Sequence, residues 1–292
     1  MNIKDLKYLV ALADLGHFGH AAAACFVSQP ALSMQIKKLE ETLGVKLLER
    51  TNKSVMLTES GVIIAERARL ILSQVEEVRE IARSAQDPFS GEFRLGIIPT
   101  LAPYLLPVVM PQLSAMYPKL SFYLIEEQTA PLVEKLKQGK LHAAILALPV
   151  FETSFDSRVL FEEEFQLAVP RHHALAKLKK IKQLDLVDMN LLLLEEGHCM
   201  RDQALALCST MQAQESQNFR ATSLETLRHM VGAGVGITLM PKLACITSDT
   251  VSYIPFSQPK PTRTVGMFWR ATTAKRALLE DMVKKLKAVI VS

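Results

Sequence analysis

Residues 191–208 read LLLLEEGHCMRDQALALC, an apolar strand candidate that runs into the first turns of a helix. Cys199 lies at this junction and has three polar neighbours, His198, Arg201 and Asp202. A helix N-terminus and a nearby guanidinium both stabilise a thiolate, so the pattern favours a reactive thiol here. Cys208 shares a helix face with Ala204 and flanks leucines, which predicts that its side chain is packed inward.

The spacing of the two cysteines decides how they can react with each other. They are nine positions apart (208 minus 199), which in an unbroken helix is about 13.5 Å along the axis and about 180° around it. A disulfide requires a Cα separation of roughly 4.4–6.8 Å, so the pair can be joined only if the helix unwinds. The pattern therefore predicts a redox switch, and the alternative is two buried structural cysteines.

Length and composition set the frame for this switch. A chain of 292 residues is long enough for two or three domains, and four cysteines are too few for a disulfide scaffold. The N-terminus has no apolar signal core, and no apolar run approaches the ~18–20 residues of a membrane span. We therefore expect a cytoplasmic protein that does not bind membranes, in which a disulfide is transient. Lys and Arg exceed Asp and Glu by only four, 34 against 30, so charge alone does not indicate a nucleic-acid partner.

The first sixty residues predict three helices followed by a two-stranded wing. The first helix has apolar residues at 3.6-residue spacing, and residues 18–25 form a short alanine-rich second helix. Ser28 is suited to cap a third helix, Pro30 suits its first turn and Gly44 ends it. The third helix is expected to bury Leu32, Ile36 and Leu39. Two short helices joined by a tight turn match a helix-turn-helix.

The exposed residues of the third helix and the wing are of the types that contact DNA. Those suited to base edges in a major groove are Gln29, Ser33 and Gln35. Those suited to phosphates are Lys37, Lys46, Arg50 and Lys53. For each residue alone the alternative is a solvated surface, but the turn, the cap, the small residues and the basic wing agree on a DNA-binding segment.

Residues 58–87 predict a long connecting helix that Thr58 caps. Its apolar residues recur at alternating steps of four and three, which is the seam of a coiled coil. About 28 residues of helix are about 42 Å long, so part of this seam extends beyond the DNA-binding segment. We expect a dimerisation helix, and the alternative is a helix packed on its own chain.

After Pro88 strands and helices alternate, which predicts a mainly parallel α/β sheet. A later helix is capped by Ser223 and is expected to expose Glu225 and Arg228. Ligands of such sheets bind outside the carboxyl ends of the strands, where Thr100, Thr129 and the pair His198–Cys199 lie. These groups could surround a very small polar molecule. The alternative for both threonines is that they only cap helices.

The segment from Ala21 to Arg50, with VSQPALS at 27–33 and LGVKLLER at 43–50, resembles the winged helix-turn-helix of LysR-type transcriptional regulators. The resemblance implies a multidomain chain, with an α-rich winged helix-turn-helix and linker helix before an α/β periplasmic-binding-protein-like effector domain of two subdomains. By this resemblance residues 1–57 bind DNA, residues 58–87 dimerise, residues 88–162 with 269–292 form subdomain I, and residues 163–268 form subdomain II. The DNA-binding residues it implies are Ser28, Gln29, Pro30, Ser33, Gln35, Lys37, Arg50 and Lys53.

Residues 197–208 and 219–228 resemble the hydrogen-peroxide sensors of the LysR family, over essentially the whole chain. This resemblance implies that Cys199 is the peroxidatic thiol and Cys208 the resolving one, joined reversibly by a disulfide. It implies a peroxide pocket of Thr100, Thr129 and His198, with Arg201 and Asp202 tuning the thiolate. Asn218 departs from the pattern, because His is expected there.

The resemblance further implies the partners of the protein: promoter DNA, hydrogen peroxide, RNA polymerase and a cellular dithiol reductant. It also implies that the chain forms a homodimer or a homotetramer. No cofactor, metal or enzymatic turnover is expected. One alternative is a LysR-type regulator of a small metabolite with incidental cysteines. Another is a thiol peroxidase or disulfide oxidoreductase, against which stand the missing C-x-x-C pair and the presence of residues 1–57. A solute-binding transport protein is disfavoured by the missing signal peptide.

Overall fold

The computed structural model describes residues 1–50, 55–84, 87–187, 189–211 and 214–291. Side chains are described for these residues except 50, 55, 80, 83–84, 207–211, 214–218 and 291. The chain divides into two compact units, Met1–Ala85 and Gln86–Ser292. Within these described ranges, every helix is too short or too polar to cross a membrane.

The first unit begins with three helices, α1 (Ile3–Leu15), α2 (Phe18–Ala24) and α3 (Gln29–Leu43). Ser28 caps α3, because its hydroxyl oxygen accepts the backbone N–H of Ala31 at 3.4 Å. The residues that α3 buries are the predicted Leu32, Ile36 and Leu39. The predicted helix-turn-helix is therefore confirmed in its elements and in its core.

A small wing and a long helix complete the first unit. Strands β1 (Leu48–Arg50) and β2 (Val55–Leu57) pair antiparallel. The buried carboxylate of Glu40 accepts the backbone N–H groups of Leu47 and Leu48 at 2.9 and 3.3 Å, which attaches the start of the wing to α3.

The long helix α4 (Glu59–Ser84) changes its surroundings along its length. Thr58 caps it by accepting the Gly61 N–H at 2.9 Å. In its first turns Ala65 and Ala68 are buried in the unit, whereas the later apolar residues Ile71, Val78 and Ile81 are exposed. The predicted apolar seam therefore continues beyond the part that packs on its own chain.

The second unit contains a mixed sheet in the order β10-β6-β11-β5-β3-β4, with β9 pairing β6. Its strands are β3 (Gly91–Ile97), β4 (Leu120–Glu126), β5 (Ala143–Ala147), β6 (Phe155–Pro170), β9 (Thr238–Pro241), β10 (Val251–Pro255) and β11 (Thr262–Arg270). Two further strands, β7 (Asn190–Leu194) and β8 (Gln214–Ala221), pair parallel with each other. Its helices are α5 (Ala102–Met116), α6 (Thr129–Lys137), α7 (Cys199–Met211), α8 (Leu224–Gly232) and α9 (Arg276–Val291).

Two apolar clusters form the core of this unit, and β6 and β11 run through the region between them. The first cluster surrounds Phe93, Ile145 and Trp269, and the second surrounds Phe165, Leu193 and Phe256. The first cluster also takes in Val265, Met267 and Phe268, which precede the predicted subdomain boundary at residue 269. The arrangement is two α/β lobes joined by long antiparallel strands.

Two expectations are corrected here. The large sheet is not mainly parallel: among the described residues β5–β11, β6–β11, β6–β10 and β6–β9 pair antiparallel, and β3–β4 and β3–β5 pair parallel. Arg228 is buried instead of exposed. Its guanidinium contacts Glu225, the Ala244 carbonyl and the Tyr253 hydroxyl, which together satisfy a buried cation.

Candidate functional sites

The exposed face of α3 carries most of the residues predicted to contact DNA. Ser28, Gln29, Pro30 and Lys37 are exposed, and Ser33 and Gln35 are half-buried. Polar side chains at the start of a second helix are those that reach base edges in helix-turn-helix proteins. These six residues thus lie on α3 or at its cap, and none of them belongs to the buried core of the unit.

The predicted phosphate contacts of the wing are described only in part. Lys46 is exposed and lies 3.4 Å from the Glu40 carboxylate. The Arg50 side chain and the whole of Lys53 lie outside the described residues. Their roles therefore stay predictions.

In the second unit Cys199 is held at the first position of α7, directly after strand β7 and the turn at Gly197. Gly197 has φ +92°, a left-handed conformation that favours glycine, and a Cβ at this position would clash with the Gln128 side-chain amide. The Gln128 amide in turn donates to the Glu196 carbonyl at 3.3 Å. This contact ties the turn before Cys199 to the start of α6.

The Cys199 thiol opens into a cleft of about 390 Å³. Among the described residues its polar lining comprises Thr129, Glu152 and Asp202, and its apolar lining includes Val133, Ala147 and Phe151. Thr129 and Asp202 are thus brought to the thiol, as predicted. Thr100, His198 and Arg201 are not among the lining residues that the structure describes.

Among the polar groups that line the cleft, the Thr129 hydroxyl is the best candidate for binding a ligand. Thr129 Oγ1 is buried and has no geometric hydrogen-bond partner in the described part of the chain. Its hydroxyl is near enough to the Cys199 thiol to lower the pKa of that thiol. Gln128 occupies the cap position of α6, which contradicts the alternative that Thr129 only caps this helix. A hydroxyl in this position can hydrogen-bond a small molecule that enters the cleft beside the thiol.

Thr100 is linked to the thiol through a buried ion pair. Arg263 and Glu163 face each other in register on β11 and β6, with nitrogen–oxygen distances of 2.6–2.7 Å. Arg263 also donates to Thr100 Oγ1 at 2.9 Å, and Glu163 accepts the Leu243 N–H at 2.8 Å. Thr100 is therefore a partner of this arginine, and neither a helix cap nor a direct neighbour of the cleft.

The electrostatics of the thiol differ from the expectation. Burial raises the pKa of the Cys199 thiol, and the positive charge of Arg263, the Thr129 hydroxyl and the Met200 N–H lower it only in part. The Asp202 carboxylate adds to the rise. The thiol therefore ionises less readily than a helix start and a nearby guanidinium alone would suggest, because it is half-buried, which the sequence did not show.

The other predicted neighbours of the thiol have different surroundings. Arg201 is buried and donates to the Leu194 carbonyl at 3.0 Å. His198 is buried, and this lowers its pKa, although the Glu195 carboxylate and the Thr222 backbone raise it, so the imidazole is largely neutral at pH 7. The cation that acts on the thiol is Arg263, which the sequence analysis missed. Arg263 stands between Thr262 and Thr264 at the polar start of β11, so the sequence gave no signal that it is buried.

Helix α7 is unbroken from Cys199 to Met211. The nine positions between Cys199 and Cys208 therefore correspond to about 13.5 Å of helix axis, and Cys199 is a free thiol. The Cys208 side chain and that of Asn218 lie outside the described residues. No group of three or more potential metal ligands is formed by the residues that the structure describes.

A DNA-binding winged helix-turn-helix followed by a two-lobed α/β domain with a ligand cleft defines a class of signal-responsive transcriptional regulators. Residues 3–62 match the family described as bacterial regulatory helix-turn-helix protein, lysR family, and residues 86–290 match the LysR substrate binding domain.

Three relatives show where the chain stands within this family. The Escherichia coli K12 regulator OxyR is 45% identical over 291 residues, which is 99% of this chain and 95% of that protein. A full-length OxyR variant from Pseudomonas aeruginosa has 37% identity and a TM-score of 0.80, covering 98% of this chain and 95% of that one. A mutant of Corynebacterium glutamicum OxyR, solved with H2O2 bound, has 30% identity and a TM-score of 0.68, covering 99% and 92%. The chain belongs to the OxyR group of the LysR family of transcriptional regulators.

Proposed function

We propose that this regulator senses hydrogen peroxide through a reversible Cys199–Cys208 disulfide and thereby controls oxidative-stress genes. The observation that carries the proposal is a half-buried thiol that shares a small cleft with the buried Thr129 hydroxyl. Relatives named as hydrogen peroxide-inducible genes activators, and one solved with H2O2 bound, support the choice of ligand.

The cleft suits a very small molecule that both donates and accepts hydrogen bonds. Hydrogen peroxide has two hydroxyl groups, so one oxygen can bond to the Thr129 hydroxyl while the other faces the sulfur. A molecule placed in this way meets the geometric requirement for direct attack by a thiolate. Thr100 and His198 are proposed to support this pocket without lining it. Thr100 acts through Arg263, and His198 acts through the turn before Cys199.

The first chemical step follows from the proton balance at Cys199. The thiol loses its proton, and the thiolate attacks one peroxide oxygen, which breaks the O–O bond and releases hydroxide that takes up the proton to form water. The sulfur becomes a sulfenic acid. Arg263 favours the thiolate, whereas burial and Asp202 disfavour it, so the reactive thiolate is the minor form at neutral pH.

The second step requires a conformational change. The Cys208 thiol attacks the sulfenic sulfur and releases a second water, which leaves an intramolecular disulfide. Because helix α7 separates the two residues by about 13.5 Å along its axis, this helix has to unwind before the bond can form. A cellular dithiol would reverse the reaction by thiol–disulfide exchange.

The rearranged segment is proposed to alter how copies of the chain associate. Residues 58–87 would dimerise through the exposed apolar side chains of α4, and dimers would pair into tetramers. The predicted subdomains, 88–162 with 269–292 and 163–268, would move relative to each other on oxidation. The two α3 helices of a dimer would then engage promoter DNA differently, which changes how RNA polymerase is recruited.

The decisive experiment is a thiol map by mass spectrometry after one equivalent of hydrogen peroxide. Wild-type protein should form the Cys199–Cys208 disulfide, and Cys208→Ser should stop at the sulfenic acid and keep the DNA footprint of the reduced form. Cys245→Ser is the matched control, because burial raises the pKa of that thiol to about 12 and makes it inert. A Cys208→Ser footprint that responds to peroxide as the wild type does would refute the disulfide step.

The alternative of a metabolite-responsive regulator predicts a different result. In that case peroxide would leave the footprint unchanged even where the cysteines are oxidised. A thiol peroxidase would instead show steady peroxide turnover with a dithiol donor, at a rate that does not depend on DNA.

A further inference from the structure

Phe26 has an unusual backbone conformation and an unusual exposure. Its φ is +56°, the only positive φ of a non-glycine residue in the described part of the chain. Its side chain is 95% exposed, although it is a large aromatic ring in a unit with its own apolar core. Both features are unfavourable for the folded chain by itself.

The conformation comes from the end of helix α2. The Val27 N–H donates to the Ala22 carbonyl at 3.0 Å and the Phe26 N–H to the Ala23 carbonyl at 3.1 Å, the hydrogen bonds of a Schellman motif. In that motif the residue at the position of Phe26 is left-handed and is usually glycine. The same unit follows this rule at the ends of α1 and α3, where Gly16 and Gly44 have φ of +59° and +70°.

Burial within the chain does not offset this strain, because the ring is almost fully exposed. Strained residues that persist in a fold cluster at functional positions. Phe26 lies two residues before Ser28, the cap of α3, and so stands beside the helix start that enters the major groove in helix-turn-helix proteins. We therefore expect the Phe26 ring to make its favourable contact with DNA.

A second apolar group lies on the same helix-turn-helix. Met34 is 65% exposed, and Pro30, one turn before it on α3, is also exposed. The base-reading residues Gln29 and Ser33 directly precede these two along the helix. The apolar group that a major groove offers to such side chains is the C5 methyl of thymine.

We propose that Phe26 and Met34 are specificity-determining residues that contact thymine methyl groups in the operator. This proposal rests on the DNA-binding role of α3 and adds a hydrophobic component to its polar contacts. The cost of the strained turn is offset only in the complex, so the contribution of Phe26 should depend on base sequence.

The test uses a duplex selected by the wild-type protein from a randomised pool. Each thymine of the selected duplex is replaced in turn by uracil, which removes one methyl group and keeps base pairing. Affinity is measured by fluorescence anisotropy at one fixed salt concentration, since phosphate contacts make binding salt-dependent. We expect one or two positions per half-site at which wild-type affinity falls about fourfold, the value for removing one methyl-sized apolar contact.

The variants are Phe26→Asn and Met34→Gln. Asparagine accepts the left-handed conformation, so Phe26→Asn should raise the thermal midpoint while binding the thymine duplex several-fold more weakly. Each variant should lose its discrimination between thymine and uracil at its own position only. The matched control is Leu184→Asn, since Leu184 is 73% exposed in the second unit and should leave DNA affinity and discrimination unchanged.

Two outcomes would overturn the proposal. One is that no replacement by uracil weakens wild-type binding, and the other is that both variants discriminate as well as the wild type. A selection that enriches no duplex would overturn the DNA-binding role of α3 itself, and so the two failures can be told apart.

Discussion

Replacing Thr129 with valine isolates the role of the hydroxyl in the thiol cleft. Valine keeps the branched shape of threonine and replaces its hydroxyl, which has no partner in the described part of the chain, with a methyl group. A hydrogen bond to a charged group contributes about 1.5–3 kcal/mol, so losing the bond from Thr129 to the peroxide oxygen, which gains negative charge as the O–O bond breaks, should slow oxidation about 10- to 150-fold. A buried polar group without a partner costs about 1–3 kcal/mol, so the free energy of unfolding should stay constant or rise by about 1 kcal/mol.

The measurement combines rapid mixing with equilibrium unfolding. Reduced full-length protein is mixed with hydrogen peroxide, the loss of the Cys199 thiol is followed over time, and unfolding in urea is followed by the single tryptophan, Trp269. Thr129→Ser is the control, because it keeps the hydroxyl and loses the methyl group. Valine that reacts as fast as threonine would refute a role for the hydroxyl, and serine that is equally slow would assign the effect to packing.

Three further predictions concern the surroundings of the thiol. Because burial raises the pKa of Cys199, its oxidation rate should rise about tenfold per pH unit between pH 6 and 8 in stopped-flow experiments, whereas a flat profile would mean a resting thiolate. Glu163→Ala leaves the buried Arg263 without its counter-ion and should lower the unfolding free energy by about 3–5 kcal/mol in urea titrations. A loss below about 1 kcal/mol would contradict a buried ion pair. Gly197→Ala should lower the thermal midpoint, and adding Gln128→Ala to that variant should restore part of the midpoint by removing the clash. If the midpoint does not recover, the whole loss comes from the backbone conformation of residue 197.

The sequence predicted local structure well wherever pattern and capping agreed. Strands and helices alternate after Pro88 as predicted, in the order β3, α5, β4, α6 and β5, and α3 has the predicted cap and core. These features depend on residues close together in sequence, so periodicity and turn chemistry are sufficient to find them. The family resemblance added the assignment of the two cysteines, which spacing alone left open.

Contacts between distant residues were the part that could not be predicted. Arg263 and Glu163 are 100 positions apart and meet only because β11 and β6 pair antiparallel in one particular register. Arg228 reads as an exposed helix residue, yet the loop around Ala244 covers it. The raised pKa of Cys199 has the same origin, because burial depends on how the two lobes close over the thiol.

The neighbouring residues Cys199 and Met200 pack in different places: Cys199 contacts the first apolar cluster of the second unit, and Met200 lies within the second. One peptide bond thus spans the junction of the two lobes. Unwinding α7 to bring the sulfur to Cys208 would withdraw the Cys199 contact from the first cluster and disturb the Met200 contact in the second. Formation of this one disulfide would then weaken the packing between the lobes. Small molecules that bind at this junction should therefore have the same effect as oxidation, without any electron transfer.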